Sequence, residues 1–172
     1  MAIQIHPNDE LARTRHNSFG KTEMWYVMQA DENARIILGF KNDSSSEEYL
    51  DHLKNKTLPN VLQEYYVQKG DVFFIETGTI HAIGGGILLA EIQQTSDVTY
   101  RVYDWDRVDA NGQERELHID LALDAINYNK KDTKINYSKK DNELVELVDC
   151  PFFTTNILFL TDTTQITKNT DS

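Results

Sequence analysis

The sequence predicts an all-β fold, an antiparallel barrel or sandwich with short helical insertions, on three observations. Runs of β-branched and aromatic residues recur at close spacing, with five between residues 65 and 105. Turn-forming Gly70-Asp71 and Gly84-Gly85-Gly86 separate them. Helical patterning falls outside this region, whereas a parallel α/β sheet needs a helix between successive strands.

The elements follow in order. Ala2-Ile3-Gln4-Ile5-His6-Pro7 alternates and reads as a strand. Residues 23–30 and 34–40, separated by Asp31-Glu32-Asn33, read as a hairpin. Within Ser44 to Lys54 a serine followed three residues later by glutamate caps a short helix, in an insertion over 44–58 bounded by Pro59. Strand runs then cover 65–68, 71–76, 79–83, 86–94 and 97–105. Leu117, Leu121, Leu123 and Ile126 stand near helical spacing and predict a helix over 116–127. After a charged stretch, 129–142, two further strands are predicted at 143–150 and 152–160, before a polar, threonine-rich end from Thr161 to Ser172.

Composition narrows the function. With 28 acidic against 17 basic side chains the formal charge is −11, which argues against nucleic acid or an anionic membrane as partner. The aromatic run Tyr100 to Trp105 would otherwise suit base stacking, but that charge repels phosphates. The Gly84–Gly86 segment precedes a strand, not a helix amino-terminus, so it reads as a hairpin turn in the barrel wall and not as a phosphate loop. The single cysteine, Cys150, and the lack of a signal-peptide pattern or an apolar run of about 20 residues make a reducing cytoplasm the expected address.

Of five histidines, His16 reads as a loop residue and His52 and His118 as solvated helix positions. His6 and His81 lie on or beside strands. Residues i and i+2 of a strand share a face, so Gln4 and His6 point together, and Glu23 opens the next strand. In a closed barrel one face can gather Gln4, His6, Glu23 and His81. Two imidazoles, a carboxylate and an amide oxygen suit zinc, manganese, iron or nickel. Spacing alone favours two unrelated core histidines.

Four ordered segments carry a resemblance: Ile3-Gln4-Ile5-His6-Pro7-Asn8-Asp9, Gly20-Lys21-Thr22-Glu23-Met24-Trp25-Tyr26, Gly78-Thr79-Ile80-His81-Ala82, and Gln94 through Asp104. Over residues 1 to about 160 the chain resembles the shorter bacterial form of the class I mannose-6-phosphate isomerases, in the cupin superfamily. It departs from that pattern at Ala2, where a serine is usual, and at Glu76, where a proline often stands.

The resemblance implies a cupin-type antiparallel β-barrel (jelly roll) and a metal site on Gln4, His6, Glu23 and His81. It implies one divalent metal, Zn2+ first, with Lys21, Asp97 and Arg101 as catalytic candidates and Arg101 foremost among them. The implied reaction interconverts mannose 6-phosphate and fructose 6-phosphate through an enediol(ate), and the residue acting as proton-transfer base stays open. A non-enzymatic metal- or sugar-binding cupin, or an isomerase or epimerase of another sugar phosphate, are the alternatives. Relative to the family the chain reads as truncated at both ends. On this reading 1–110 is a metal-binding barrel, 111–142 a helix and connector, and 143–172 the start of a second, incomplete cupin-like domain. Exposed barrel edges would then favour homo-oligomers.

Overall fold

The computed structural model describes residues 1–163 and Gln165. Nine strands form two sheets: β1 (Ile3–Ile5), β2 (Glu23–Ala30), β3 (Arg35–Phe40), β4 (Leu62–Tyr66), β5 (Val72–Ile75), β6 (His81–Ile83), β7 (Ile87–Gln93), β8 (Tyr100–Tyr103) and β9 (Lys134–Ile135). One sheet has the order β4-β3-β6-β1-β8 and the other β7-β2-β5-β9, and every pairing between named strands is antiparallel. A separate hairpin, β10 (Leu144–Cys150) and β11 (Phe153–Leu158), follows. The chain has the expected all-β, cupin-like jelly-roll fold, with short helices α1 (Asp9–His16), α2 (Ser46–Lys54) and α3 (Ile119–Leu123) and a 3-10 turn at Leu58–Val61.

Alternation along the strands divides the apolar residues among three layers. Trp25, Val27, Phe73 and Ile75 of one sheet meet Ile36 and Leu38 of the other between the sheets. Behind the five-stranded sheet, Ile3, Ile5, Ile80, Tyr100 and Val102 pack under Tyr49 of α2, Leu58 of the 3-10 turn and Ala122 of α3. Behind the four-stranded sheet, Met24 and Val72 pack against Leu147 and Val148 of the hairpin.

The structure corrects several sequence-based expectations. Residues 23–30 and 34–40 do not form a hairpin: β2 pairs with β5 and β7, and β3 with β4 and β6. The turn at Asp31–Ala34 carries the chain from one sheet to the other. Gly84–Gly86 is likewise a crossing, from β6 to β7, and not a hairpin turn. These crossings touch: Asp31 N donates to Gly86 O at 2.8 Å, and a Cβ on Gly86, whose φ is +72°, would fall 2.6 Å from Asp31 Oδ2. Turn chemistry marks where a chain bends, and the choice of pairing partner is tertiary.

His16 is not in a loop but ends α1, whose Asn8 side chain accepts from Leu11 N. Acidic Asp9 and Glu10 open this helix and Arg13, Arg15 and His16 close it, as the helix dipole favours. Ala12 is its one buried residue, so no apolar stripe announces it. The expected helix over 116–127 is only Ile119–Leu123, because Glu116 to His118 run along the edge of β8 instead. His118 therefore precedes α3, and neither it nor His52 is a solvated surface residue: both are half-buried, and His52 Nδ1 lies 2.8 Å from Thr57 Oγ1. The run 97–105 supplies only Tyr100–Tyr103, since Ser96 and Thr99 side chains bond their own loop. The run 65–68 is replaced by Leu62–Tyr66, and the charged stretch contains β9. Thr164 and residues 166–172 of the expected second domain lie outside the described residues.

Candidate metal centre

Gln4 is the middle residue of β1 and lies directly opposite His81 of β6 on one side and Arg101 of β8 on the other. Residues opposed across antiparallel strands share a face, so all three project together. Tyr100 and Val102 point to the outer core, which puts Arg101 on the inner face. Glu23 opens β2 in the other sheet and faces them across the barrel.

His6, Glu23 and His81 have ligand atoms all within 4.8 Å of one another and are each no more than 1% exposed. His6 Nε2 is 3.7 Å from Glu23 Oε2, and His81 Nε2 is 3.6 Å from Glu23 Oε1. Each Nδ1 lies 2.8 Å from a backbone carbonyl, His6 from Val98 O and His81 from Thr79 O. A proton on Nδ1 donates to that carbonyl and leaves the Nε2 lone pair facing the partner residues, the arrangement of a metal-ligating histidine with its outer hydrogen bond. Gln4 completes the set, its side-chain amide nitrogen 3.2 Å from His81 Nε2. Turning that amide over would direct its oxygen to the same point.

Burial dominates the electrostatics. It pushes the His6 imidazole down to about 2, with His81 and Lys21 adding to the effect, and the His81 imidazole down to about 4. Both rings are neutral at pH 7, so their approaches to Glu23 are not ion pairs. Burial raises the Glu23 carboxyl to about 7, with Glu91 second; Lys21, 3.2 Å away, opposes both. His6 Nε2 and both Glu23 oxygens are buried without a hydrogen-bond partner. Native proteins rarely leave such atoms orphaned, and a cation would satisfy all three at once. The donor set fits a divalent metal.

No family model matches the chain. Among curated proteins, the mannose-6-phosphate isomerase of Streptococcus mutans is 41% identical over 156 residues, covering 90% of this chain and 49% of that protein. Mannose-6-phosphate isomerase ManA of Bacillus subtilis is 38% identical, covering 89% of this chain and 50% of the relative. The crystal structure of the mannose 6-phosphate isomerase from Bacillus subtilis superposes with a TM-score of 0.80 at 35% identity, over 89% of this chain and 50% of that one. Over about nine-tenths of its length the chain is similar to these mannose-6-phosphate isomerases. It spans about half the length of the curated relatives it matches. Phosphomannose isomerase from Salmonella typhimurium, at 12% identity and a TM-score of 0.63, shares the fold.

The structure brings Lys21 to the buried cluster. Its Nζ lies 3.2 Å from Glu23 Oε2 and donates to Glu91 Oε1 at 3.1 Å. Arg101 is half-buried on the Gln4 face, and Asp97 is exposed on the loop before β8, outside any strand. The expected strand over 97–105 would have set Asp97 and Arg101 on one face; because β8 begins at Tyr100, it does not. Glu91 escaped the sequence reading. It lies opposite Trp25 and also accepts from the Trp25 indole at 3.1 Å. An acidic residue inside the apolar run Ile87-Leu88-Leu89-Ala90-Glu91-Ile92, in step with inward Leu89, was the available signal. A cleft of about 550 Å³ lies elsewhere, between α1 and the turn of the β10–β11 hairpin.

Proposed function

We propose that this chain carries the catalytic centre of an isomerase that interconverts mannose 6-phosphate and fructose 6-phosphate through an enediol(ate). The observation that carries the reading is the buried trio of orphaned donor atoms on His6 and Glu23, facing His81 Nε2 beside Lys21, with Arg101 opposite Gln4 in the same sheet. Gln4, His6, Glu23 and His81 would hold the ion, and the N/O donor set favours Zn2+. A divalent cation in this position supplies Lewis-acid stabilisation of oxyanion charge at C1 and C2 of the sugar.

The protein's own groups do the rest. Arg101 offers a permanently charged, planar fork to developing oxygen charge and orients the sugar. Lys21, steered by Glu23 and Glu91, holds a point charge at the same mouth for an oxygen or a phosphate. Asp97, exposed beside Arg101 in sequence, is a candidate to move the proton between C2 and C1.

Neutral imidazoles and one carboxylate offset half of a divalent ion's charge and leave the rest to polarise sugar oxygens. A reducing cytoplasm suits the unpaired Cys150. Among the described residues no helix is long and apolar enough to cross a membrane. Self-association would run through β7, which ends the four-stranded sheet.

The test is a coupled assay of mannose 6-phosphate conversion by the zinc-loaded chain, alongside elemental analysis. One ion per chain and turnover abolished by chelation and restored by zinc are expected. Because the matched relatives are about twice as long, turnover by this chain should fall below theirs, with the pocket less enclosed. A chain that binds metal and sugar phosphate yet converts nothing would favour the non-enzymatic cupin.

A further inference from the structure

Strand β8 ends its sheet, yet its outer edge is not bare. Arg101 N donates to His118 Nδ1 at 3.1 Å, His118 N donates to Arg101 O at 2.8 Å, and the Arg101 guanidinium donates through Nη1 to Glu116 O at 2.7 Å. Both backbone groups of Arg101 are thus spent on the segment 116–118, so Gln4 and Arg101 form the non-hydrogen-bonded kind of pair. That kind brings opposed side chains closest. Segment 116–118 therefore sets both the backbone and the guanidinium of the arginine opposite Gln4.

What holds that segment is the loop before it. The chain leaves β8 at Asp104 and returns through Arg115. The Asp104 carboxylate, only 5% exposed, accepts from Arg115 at both oxygens, Nε to Oδ2 and Nη2 to Oδ1 at 2.6 Å each. It also accepts from Arg107 on the outgoing leg. Val108 and Glu114 bridge the two legs further out. Bidentate arginine–carboxylate pairs fix orientation as well as distance, so this clasp closes the loop three residues beyond Arg101 in one direction and one residue short of Glu116 in the other.

We propose that Asp104, gripped by Arg115 and Arg107, is a positioning residue for Arg101, acting through the 105–118 loop that anchors the Arg101 backbone and guanidinium. Asp104 touches neither the metal ligands nor Arg101's side chain. Its effect on the reaction rests on the catalytic reading of Arg101 given above. Its effect on the position of Arg101 does not.

Two measurements on the full 172-residue, zinc-loaded chain separate these layers. Backbone hydrogen exchange should show the Arg101 amide losing protection about tenfold in Asp104→Asn and in Arg115→Ala, while the Val27 and Ile36 amides of the barrel stay within twofold of the parent. Unchanged protection at Arg101, or an equal loss across the barrel, overturns the clasp. In the coupled assay, Asp104→Asn should lower kcat about tenfold with KM and zinc content unchanged. The double variant Asp104→Asn with Arg101→Ala should be no slower than Arg101→Ala alone. Additive losses overturn the positioning role. If Arg101→Ala turns over like the parent, or the parent converts no substrate, the catalytic reading fails and the exchange result alone decides whether Asp104 positions Arg101.

Discussion

Two buried carboxylates, Glu23 and Asp104, are treated in opposite ways by the same fold. Asp104 is 5% exposed, meets two guanidinium groups, and is held down at about 2, chiefly by the hydrogen bonds of Arg115. Glu23 is 1% exposed, has no hydrogen-bond partner for either oxygen, and is lifted to about 7 by burial. One is a completed structural contact. The other has Lys21 at 3.2 Å as its one charged neighbour and leaves both oxygens short of a hydrogen-bond partner. Burial alone therefore does not mark a functional carboxylate; the partner count does.

The contrast can be broken most severely at the metal centre. Replacing His81 with Ala should reduce metal affinity by more than about 100-fold, beyond the ~10–100-fold typical of losing an outer-sphere partner. The barrel should persist, because Leu38, Trp25 and Ile36 still fill its interior. Elemental analysis and the metal-free thermal midpoint check both halves, and loss of fold with metal retained would contradict them.

Exchanging each carboxylate for its amide should change stability with opposite signs. In the metal-free chain at pH 8, Glu23→Gln removes a buried charge offset only by Lys21, which keeps Glu91 as its partner, and should raise the midpoint by roughly 2–4 °C. Asp104→Asn strips a charge-assisted pair from two half-exposed arginines and should cost about 1–2 kcal/mol, after allowing for solvent screening. Adding zinc should reverse the first order: the parent gains about 2.7 kcal/mol at a free-ion level 100 times Kd, and Glu23→Gln gains less. Calorimetry with and without zinc reads all of these, and destabilisation by Glu23→Gln in the metal-free state would remove the distinction.

The smallest effect lies at acid pH. The Asp104 carboxyl is depressed from its ordinary 3.8 to about 2 in the folded chain. Its contribution is therefore fully present above pH ~3.8 and is lost as pH falls from there through about 2. Asp104→Asn should flatten that part of the acid unfolding curve and leave the curve above pH 5 parallel to the parent's. A parallel curve throughout would mean that Asp104 gains nothing from ionisation in the fold.

The legible part of this protein is local or periodic. Alternation in Gln4-Ile5-His6 put the two potential ligands on one face before any contact was known, because strand geometry has a period of two residues. The capped helix after Ser45 was legible from its serine and glutamate, whose bonds are three residues long. A closed barrel could gather Glu23 and His81 with Gln4 and His6, the resemblance pointed to the same four, and the structure brings them together. Helix α1 stayed hidden because it is polar all round, and Glu91 because one charge in an apolar run announces its environment only once the opposite wall is known.

The sequence by itself thus determined strand character, the shared face of Gln4 and His6, the acidic charge and the identity of the ligand types, since each depends on residues a few positions apart. Only the tertiary structure decided that β2 and β3 part into different sheets, that residues 116–118 cap β8, and that Arg115 reaches back to Asp104. Those outcomes depend on which distant surfaces close the barrel and cover its edges. The free energy that selects them is summed over the whole core and is written in no single stretch of chain.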